Sequence, residues 1–163
     1  MRKYSIVRVI FPPNKISIKD DELSVFLAGS IELGLAEMWQ DTVIEELKSC
    51  NNLVILNPRR KDWDNSWTIS IKDEKFKEQV CWELDCLEIA DKIIMYFDPQ
   101  TKSPISLLEF GLFARTGKLI VVCPEGFWRK GNVNIVCEKY NIQNVTNLKV
   151  AIETIKKFKK KLK

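Results

Sequence analysis

Glu109 is a residue of this sequence whose surroundings suit nucleophilic chemistry. It lies in residues 103–114, a stretch that is otherwise nearly all apolar and has the pattern of a buried helix. A carboxylate in such a helix needs an explanation, because burying an unpaired charge is costly. The pattern supports two interpretations equally. Glu109 is either a nucleophile held by nearby donors or a carboxylate in the first turn that complements the helix dipole.

A second carboxylate can come from residues 79–91, which contain Glu83 and Asp85. Residues two apart on a helix do not share a face, so at most one of the two points toward the same site as Glu109. For either one alone, a solvated surface charge is the simpler interpretation. Two carboxylates that converge from different helices would suit nucleophilic and acid/base roles at an anomeric carbon.

The sequence contains no histidine, which excludes Ser-His and Cys-His nucleophile pairs and imidazole metal sites. Its five cysteines are odd in number and none forms a Cys-x-x-Cys motif. A disulfide framework or a zinc site is therefore not expected, and free thiols in a reducing cytoplasm fit better. We expect no metal and no cofactor, so catalysis would rest on carboxylates, hydroxyls, amides and basic side chains.

Polar and aromatic residues follow several of the apolar runs. Gly29 and Ser30 can approach a ligand through the backbone, but no phosphate-binding glycine motif follows them. Glu32 follows instead, and its charge favours a nucleoside over a nucleotide as the ligand. Trp63 is a candidate for stacking on a base or sugar. Packing under their own loops is an equally good interpretation for it and for the other loop aromatics, which are Trp67, Phe97, Phe127 and Trp128.

The elements that position these residues follow from hydrophobic patterns and turn residues. The predicted strands are residues 4–11, 23–28, 53–56, 91–97 and 119–123. The predicted helices are 36–50, 73–88 and 107–115 with Gly117 as a C-cap, then a short helix or turn at 133–140 and a basic helix from about Leu148. This alternation predicts an α/β domain with a parallel sheet and helices on both faces. The ligand site of such a sheet lies beyond the carboxyl ends of its strands.

Length and composition fit one soluble domain of 163 residues. The apolar runs are too short to cross a membrane, and the start of the sequence does not have the pattern of a signal peptide, so a cytoplasmic location is expected. The net charge is only +4, and the lysines after residue 155 are best interpreted as a solvated helix end. Nucleic acid is therefore not an expected partner, because no aromatic platform accompanies these lysines.

Five short segments occur in a recognisable order. They are 26–31 (Phe-Leu-Ala-Gly-Ser-Ile), 39–41 (Trp-Gln-Asp), 57–60 (Asn-Pro-Arg-Arg), 82–83 (Trp-Glu) ahead of 90–91 (Ala-Asp), and 106–114 (Ser-Leu-Leu-Glu-Phe-Gly-Leu-Phe-Ala). With this order and spacing, residues 23–137 resemble the nucleoside 2-deoxyribosyltransferase superfamily. The resemblance implies a flavodoxin-like sheet and a reaction in which a glutamate forms a covalent deoxyribosyl-enzyme after the base departs.

The resemblance also implies roles for individual residues. The nucleophile falls on Glu109. The second carboxylate, usually Asp in relatives, lies eight residues before the opening of the next strand, and counting back from Asp91 reaches Glu83 rather than Asp85. The place of a third carboxylate shortly before the nucleophile is taken by Ser103.

Further contacts implied by the resemblance involve the substrate and a neighbouring subunit. The glycine after the first strand of the motif set falls on Gly29, and the glutamine of the first helix falls on Gln40. Relatives complete the site with a polar residue from another subunit, for which Asn132 or Asn134 is the candidate. A homo-oligomer, a dimer or larger, is therefore expected.

Three functions remain open at this point. The first is transfer of deoxyribose between bases. The second is hydrolysis of a nucleoside, a nucleotide or a related glycoside. A nucleotide would need cations near Ser30, and the candidates are Arg59, Arg60, Lys61 and Arg129. The third is a non-catalytic module that binds a nucleotide or metabolite, because a fold does not by itself determine a reaction.

Overall fold

A computed structural model of the chain describes residues 7–31 and 36–158. Glu32 and the lysines after residue 158 lie outside this part of the chain. The strands of the described part are β1 (Arg8–Ile10), β2 (Leu23–Gly29), β3 (Leu53–Leu56), β4 (Lys92–Tyr96), β5 (Leu119–Val122) and β6 (Gln143–Val145). The helices are α1 (Trp39–Leu47), α2 (Glu74–Ile89), α3 (Pro104–Phe113), α4 (Lys130–Lys139) and α5 (Leu148–Lys157).

The described strands form one sheet in the order β1-β3-β2-β4-β5-β6, and every neighbouring pair is parallel. β4 lies between β2 and β5 near the centre of the sheet. Parallel strands need crossover connections, which the helices supply. The structure thus confirms the prediction of a flavodoxin-like α/β fold.

Helices cover both faces of the sheet, as predicted. One core cluster joins the sheet to α2, α3 and α4 through Trp82, Leu87, Phe110 and Val133. The other cluster joins it to α1 and α5, and Trp39 and Ile152 are among its members. The helices α2 and α3 therefore lie in the same layer, one entering β4 and the other leaving it.

The start of α3 differs from the prediction by three residues. The helix begins at Pro104 rather than at residue 107, because proline is favoured in the first turn of a helix, where its missing N–H is not needed. Ser103 precedes it in the left-handed conformation, with φ 48°. Glu109 consequently lies in the second turn. The interpretation of Glu109 as a first-turn dipole carboxylate is wrong, since the first turn contains no acidic residue.

Other boundaries differ for local reasons. Gly117 does not cap α3, which ends at Phe113; it adopts φ +72° in the turn that leads to β5. The short helix α4 begins at Lys130 rather than at residue 133. The strand β6 was not predicted, because it has only three residues, Gln-Asn-Val, of which two are polar and none is fully buried.

The long helix α2 is fixed at both ends. Asp73 caps its first turn by accepting a hydrogen bond from the Phe76 N–H at 3.0 Å. Just beyond its end, Asp91 Oδ2 accepts from both the N–H and the hydroxyl of Ser24, which ties the turn to β2. No helix in the described ranges, α2 included, is long and apolar enough to span a membrane.

Gly29 allows β2 to lie against β4 at the carboxyl edge of the sheet. Its φ of +132° is one that other residues rarely adopt, and a Cβ there would lie 2.2 Å from the Tyr96 carbonyl oxygen. The following N–H, of Ser30, donates to that same oxygen at 2.9 Å. The close approach for which Gly29 is needed is thus an approach to a neighbouring strand.

Candidate active site

Glu109 projects from the second turn of α3 and is 8% exposed. Ser106 and Phe110 of the same helix are buried with it. Within the described residues, no hydrogen-bond donor or cation contacts its carboxyl group. Burial, and to a smaller extent the charge of Glu83, raises the pKa of Glu109 to about 8.

Glu83 reaches the same place from α2. Its Oε1 accepts a hydrogen bond of 2.7 Å from Nε2 of Gln79, one helical turn earlier. Burial raises the pKa of Glu83 to about 7, and the hydrogen bond from Gln79 opposes part of this rise. Asp85 is exposed and borders an open groove between α2 and residues 13–16, so it lies outside this site.

The carboxyl groups of Glu83 and Glu109 interact electrostatically. Interacting acids titrate as one unit, and the first proton to leave can come from either of them. Because both pKa values lie near neutrality, the pair can hold one proton at physiological pH while its other member is ionised. One proton donor and one nucleophile at the same site are what cleavage of a glycosidic bond requires.

Three hydroxyl groups lie together at the carboxyl edge of the sheet. Oγ of Ser30 and Oγ of Ser103 are hydrogen bonded, as are Ser103 Oγ and Thr101 Oγ1 at 2.7 Å. Thr101 Oγ1 donates to the Asp98 carbonyl, and the Asp98 N–H donates to Ser30 Oγ at 2.8 Å. All three side chains are buried. Ser30 and Ser103 therefore connect the ends of β2 and β4 to the start of α3, and their contact with a substrate stays a prediction.

Gln40 lies in the first turn of α1, fully buried. Its Oε1 accepts from Nε of Arg59 at 2.8 Å, whereas its Nε2 has no partner among the residues described. Arg59 also donates to the Glu37 carbonyl at 2.9 Å. Burial lowers the pKa of Arg59, while the charge of Asp41 opposes that change. The structure thus places Gln40 beside a partly buried cation, at the edge of the sheet where β3 ends.

The predicted aromatic residues divide into two groups. Phe97 and Phe127 are buried, with ring centroids 4.9 Å apart, so they pack within the protein. Trp63 is 37% exposed and its ring lies 4.9 Å from that of Trp67. Trp128 is exposed near the start of α4 and donates to the Lys102 carbonyl at 2.9 Å. Trp63 and Trp128 are thus the exposed members of this set, and Lys102 and Arg129 lie over the ring of Trp128.

The remaining predicted residues lie on α4 and in the connection after β3. Asn132 and Asn134 are exposed on α4, and Asn134 accepts a hydrogen bond from Asn144 at 2.7 Å. Arg60 forms ion pairs with Asp62 and Glu78, and these two carboxylates neutralise its charge. A contribution of Asn132 to the site of another subunit stays a prediction.

Sequence reasoning missed one residue of the site, Gln79. Its side-chain amide donates hydrogen bonds to Glu83 and to the carbonyl oxygen of Pro58, just after β3. Its spacing of four residues before Glu83 on a helix was the available signal. In the described part of the chain, no group of three or more acidic or cysteine side chains could hold a metal ion.

Comparison with known proteins identifies a family for this chain. A profile of the family described as "Nucleoside 2-deoxyribosyltransferase like" matches residues 22–127. The chain belongs to the nucleoside 2-deoxyribosyltransferase-like family. No curated protein matches it. A solved structure, "conserved protein from Enterococcus faecalis V583", has 12% sequence identity and a TM-score of 0.59, with 83% of this chain and 98% of that chain covered. That likeness shows the fold alone.

The match to the nucleoside 2-deoxyribosyltransferase-like family covers the chain from β2 to the loop before α4. It includes both Glu83 and Glu109 as well as the hydroxyl groups at the edge of the sheet. It ends before Asn132. Membership in this family implies a small-molecule nucleoside as the ligand.

Proposed function

We propose that this protein cleaves the N-glycosidic bond of a 2′-deoxynucleoside and passes the sugar to another base through a covalent glutamyl-sugar intermediate. The observation that carries this proposal is the pair Glu83 and Glu109. The two carboxyl groups come from neighbouring helices, have pKa values raised to about 7 and about 8, and lack a cationic partner among the described residues. Perturbed acids in such a place are typical of a catalytic site.

The first half of the reaction assigns one carboxyl group to each role. A carboxylate oxygen of Glu109 forms a bond to C1′ as the C1′–N bond to the base breaks. In the protonation state that reacts, the single proton of the pair is on Glu83, and it passes to the nitrogen of the leaving base, so that the base departs neutral. The products are a glutamyl-sugar ester on Glu109 and an ionised Glu83.

The second half reverses these roles. A nitrogen of the incoming base attacks C1′ and its proton passes to Glu83, while Glu109 departs as a carboxylate. Two displacements at the same carbon retain the configuration of the nucleoside. Ser30, Ser103, Gln40, Trp63 and Gly29 are proposed to shape or contact the substrate at the edge of the sheet.

A mass measurement tests this proposal. The intact protein is mixed with a panel of deoxynucleosides, and we expect a mass increase of one deoxyribosyl group that the Glu109→Ala variant does not show. Asp85→Asn on the exposed side of α2 is the matched control and should still form the adduct. Absence of an adduct and of base exchange with every deoxynucleoside would contradict the transferase assignment.

One observation favours hydrolysis of a nucleotide as a second candidate. Arg59 is partly buried beside Gln40, and no direct ion pair between it and a carboxylate occurs in the described ranges. A partly desolvated guanidinium suits a phosphate ester. A deoxynucleoside and its 5′-monophosphate, each incubated with and without an acceptor base, separate the candidates: cleavage of the monophosphate alone, without exchange, supports the hydrolase. Tight binding without turnover of either compound supports a non-catalytic module.

We also propose that the protein is a homo-oligomer that associates through the outer face of α3. Ile105, Leu108 and Leu112 lie on this face and are each about 60% exposed. Gly111 lies on it as well, and a Cβ added there would meet nothing within 4 Å. Glycine weakens a helix interior, and packing within the chain does not require it here. A helix of a second copy that approaches closely would explain both features.

A cytoplasmic location is part of the same proposal. All five cysteines are free thiols, and three of them are buried. Free thiols are typical of a reducing compartment such as the cytoplasm.

A further inference from the structure

We propose that Gln79 is a positioning residue that holds the Glu83 carboxyl group in place by joining it to the backbone at the end of β3. This inference rests on the proposed function for the meaning of Glu83, but its geometry stands independently. Gln79 lies outside the motifs through which the sequence resembles its family. It is 4% exposed and lies on α2 one turn nearer than Glu83 to the carboxyl edge of the sheet.

Both amide protons of Gln79 are in use. Nε2 donates to the Pro58 carbonyl oxygen at 3.0 Å and to Glu83 Oε1 at 2.7 Å. The carbonyl of Pro58 can only accept, so the nitrogen of the amide must face it, and the orientation of the side chain is determined. Pro58 follows β3 and is buried, which makes it a fixed reference point. Glu83 is thus connected to the sheet through a single amide group.

This arrangement leaves a polar atom unsatisfied. Oε1 of Gln79 is buried and has no hydrogen-bond partner within residues 7–31 and 36–158. A buried acceptor without a partner destabilises a protein. Retention of such an atom is typical of sites where function, rather than stability, selects the side chain. An amide that served only to satisfy Pro58 would not need to carry this cost.

Among the described groups that interact with Glu83, Gln79 is the one that favours its ionised form. The titratable groups that interact with Glu83 are Glu109 on α3 and Cys86 on α2 itself, and neither is a cation. The nearest cation along the β3 connection, Arg60, is paired with Asp62 and Glu78. A donated hydrogen bond stabilises the carboxylate over the carboxylic acid and lowers its pKa. Gln79 would therefore set both the direction and the proton affinity of Glu83.

The test is a titration that needs no substrate. In the full chain carrying Glu109→Gln, Glu83 titrates without its coupled partner, and its side-chain carboxyl carbon can be followed by NMR against pH. Adding Gln79→Leu should raise the proton affinity of Glu83 about tenfold, which is a midpoint about one pH unit higher. Adding Gln79→Lys should lower the midpoint instead, because a cation replaces a neutral donor. Gln100→Leu, at an exposed glutamine in the loop after β4, should leave the midpoint unchanged.

Opposite shifts for leucine and lysine would support the proposal, whereas equal midpoints in all three variants would overturn it. Should the Gln79 variants fail to fold, the same question can be put to the Glu109→Gln protein alone. The NMR signal of the Gln79 side-chain amide should then shift over the same pH range in which Glu83 titrates. An amide signal that does not change over that range would also overturn the proposal. Since deoxynucleosides are absent from both measurements, a failed reaction assay and a failed Gln79 assignment remain distinguishable.

Discussion

Glu83 and Glu109 project from two helices that flank the same central strand, and burial together with the charge of Glu83 raises the pKa of Glu109 to about 8. Removal of the Glu83 charge should therefore change the pKa of Glu109. In Glu83→Gln, we expect the pKa of Glu109 to fall while staying above the ordinary value, because burial, the larger cause, persists. NMR titration of labelled glutamate carboxyl groups measures this, and Asp85→Asn should leave Glu109 where it was.

The same carboxyl pair predicts how stability depends on pH. Both folded-state pKa values are raised above the unfolded value of about 4.3, so the folded state binds more protons and stability falls as pH rises from about 4.5 to about 8. Glu109→Gln, which is neutral at every pH, should be more stable than the unmodified protein at pH 8, by an amount on the order of a few kcal/mol. Near pH 4.5 the two should be alike. Urea denaturation at both pH values measures this, and a gap of equal size at both would contradict it.

Gly29→Ala should destabilise the protein severely. The new Cβ would lie 2.2 Å from the Tyr96 carbonyl oxygen, at a φ of +132°. Strain of this kind and the displacement of β2 from β4 should together lower the free energy of unfolding by about 3 kcal/mol or more. Gly131→Ala is the matched control, since a Cβ there meets nothing within 4 Å. Denaturant unfolding of the two variants side by side should show a loss in the first alone.

Leu108→Lys should dissociate the proposed oligomer without unfolding the chain. Leu108 is 59% exposed at the centre of the apolar face of α3, so a lysine costs little within one copy but places a charge between two. Val150→Lys, at an exposed position of α5 on the opposite face of the sheet, is the control. Sedimentation velocity should give the mass of one chain for Leu108→Lys and of the assembly for the control. A single-chain mass for the unmodified protein would remove the basis of the proposal.

Gly111→Ala sharpens the same test. Within one copy, alanine should stabilise α3 by about 0.5–1 kcal/mol, because glycine is the weaker helix former and space is available. If a second helix approaches at Gly111, the added methyl group should weaken the assembly. Thermal unfolding at low protein concentration should therefore show a more stable chain, whereas sedimentation at high concentration should show a weaker assembly. Tighter or unchanged assembly would show that close contact occurs elsewhere.

The sequence was sufficient for five strands of the sheet, and it singled out Glu83 and Glu109, whose roles stay predictions. Strands such as β3 and β5 are short apolar runs between turn residues, so pattern alone determined them within a residue. The choice between Glu83 and Asp85 was constrained by helical geometry, because only one of them can face α3.

The remaining features depend on contacts between distant residues. Ser103 was matched to a missing carboxylate, yet its hydroxyl bonds to Ser30, 73 positions away, which no local pattern reports. The early start of α3 depends on the left-handed Ser103 ahead of Pro104, and this moved Glu109 from the first turn to the second. Gln79 was overlooked because a glutamine on a helix usually faces water, and only its burial against Pro58 shows otherwise.

The position of β4 between α2 and α3 has a consequence for how this protein can be rearranged. Glu83 and Glu109 belong to one uninterrupted stretch of chain, a helix, a strand and a helix that follow one another directly. New termini opened in the turn between α4 and β6 would leave that stretch intact and sever no link between the two carboxyl groups. A circular permutant cut there should keep both carboxyl groups in place. A permutant cut between β4 and α3 would instead put Glu83 and Glu109 toward opposite ends of the polypeptide.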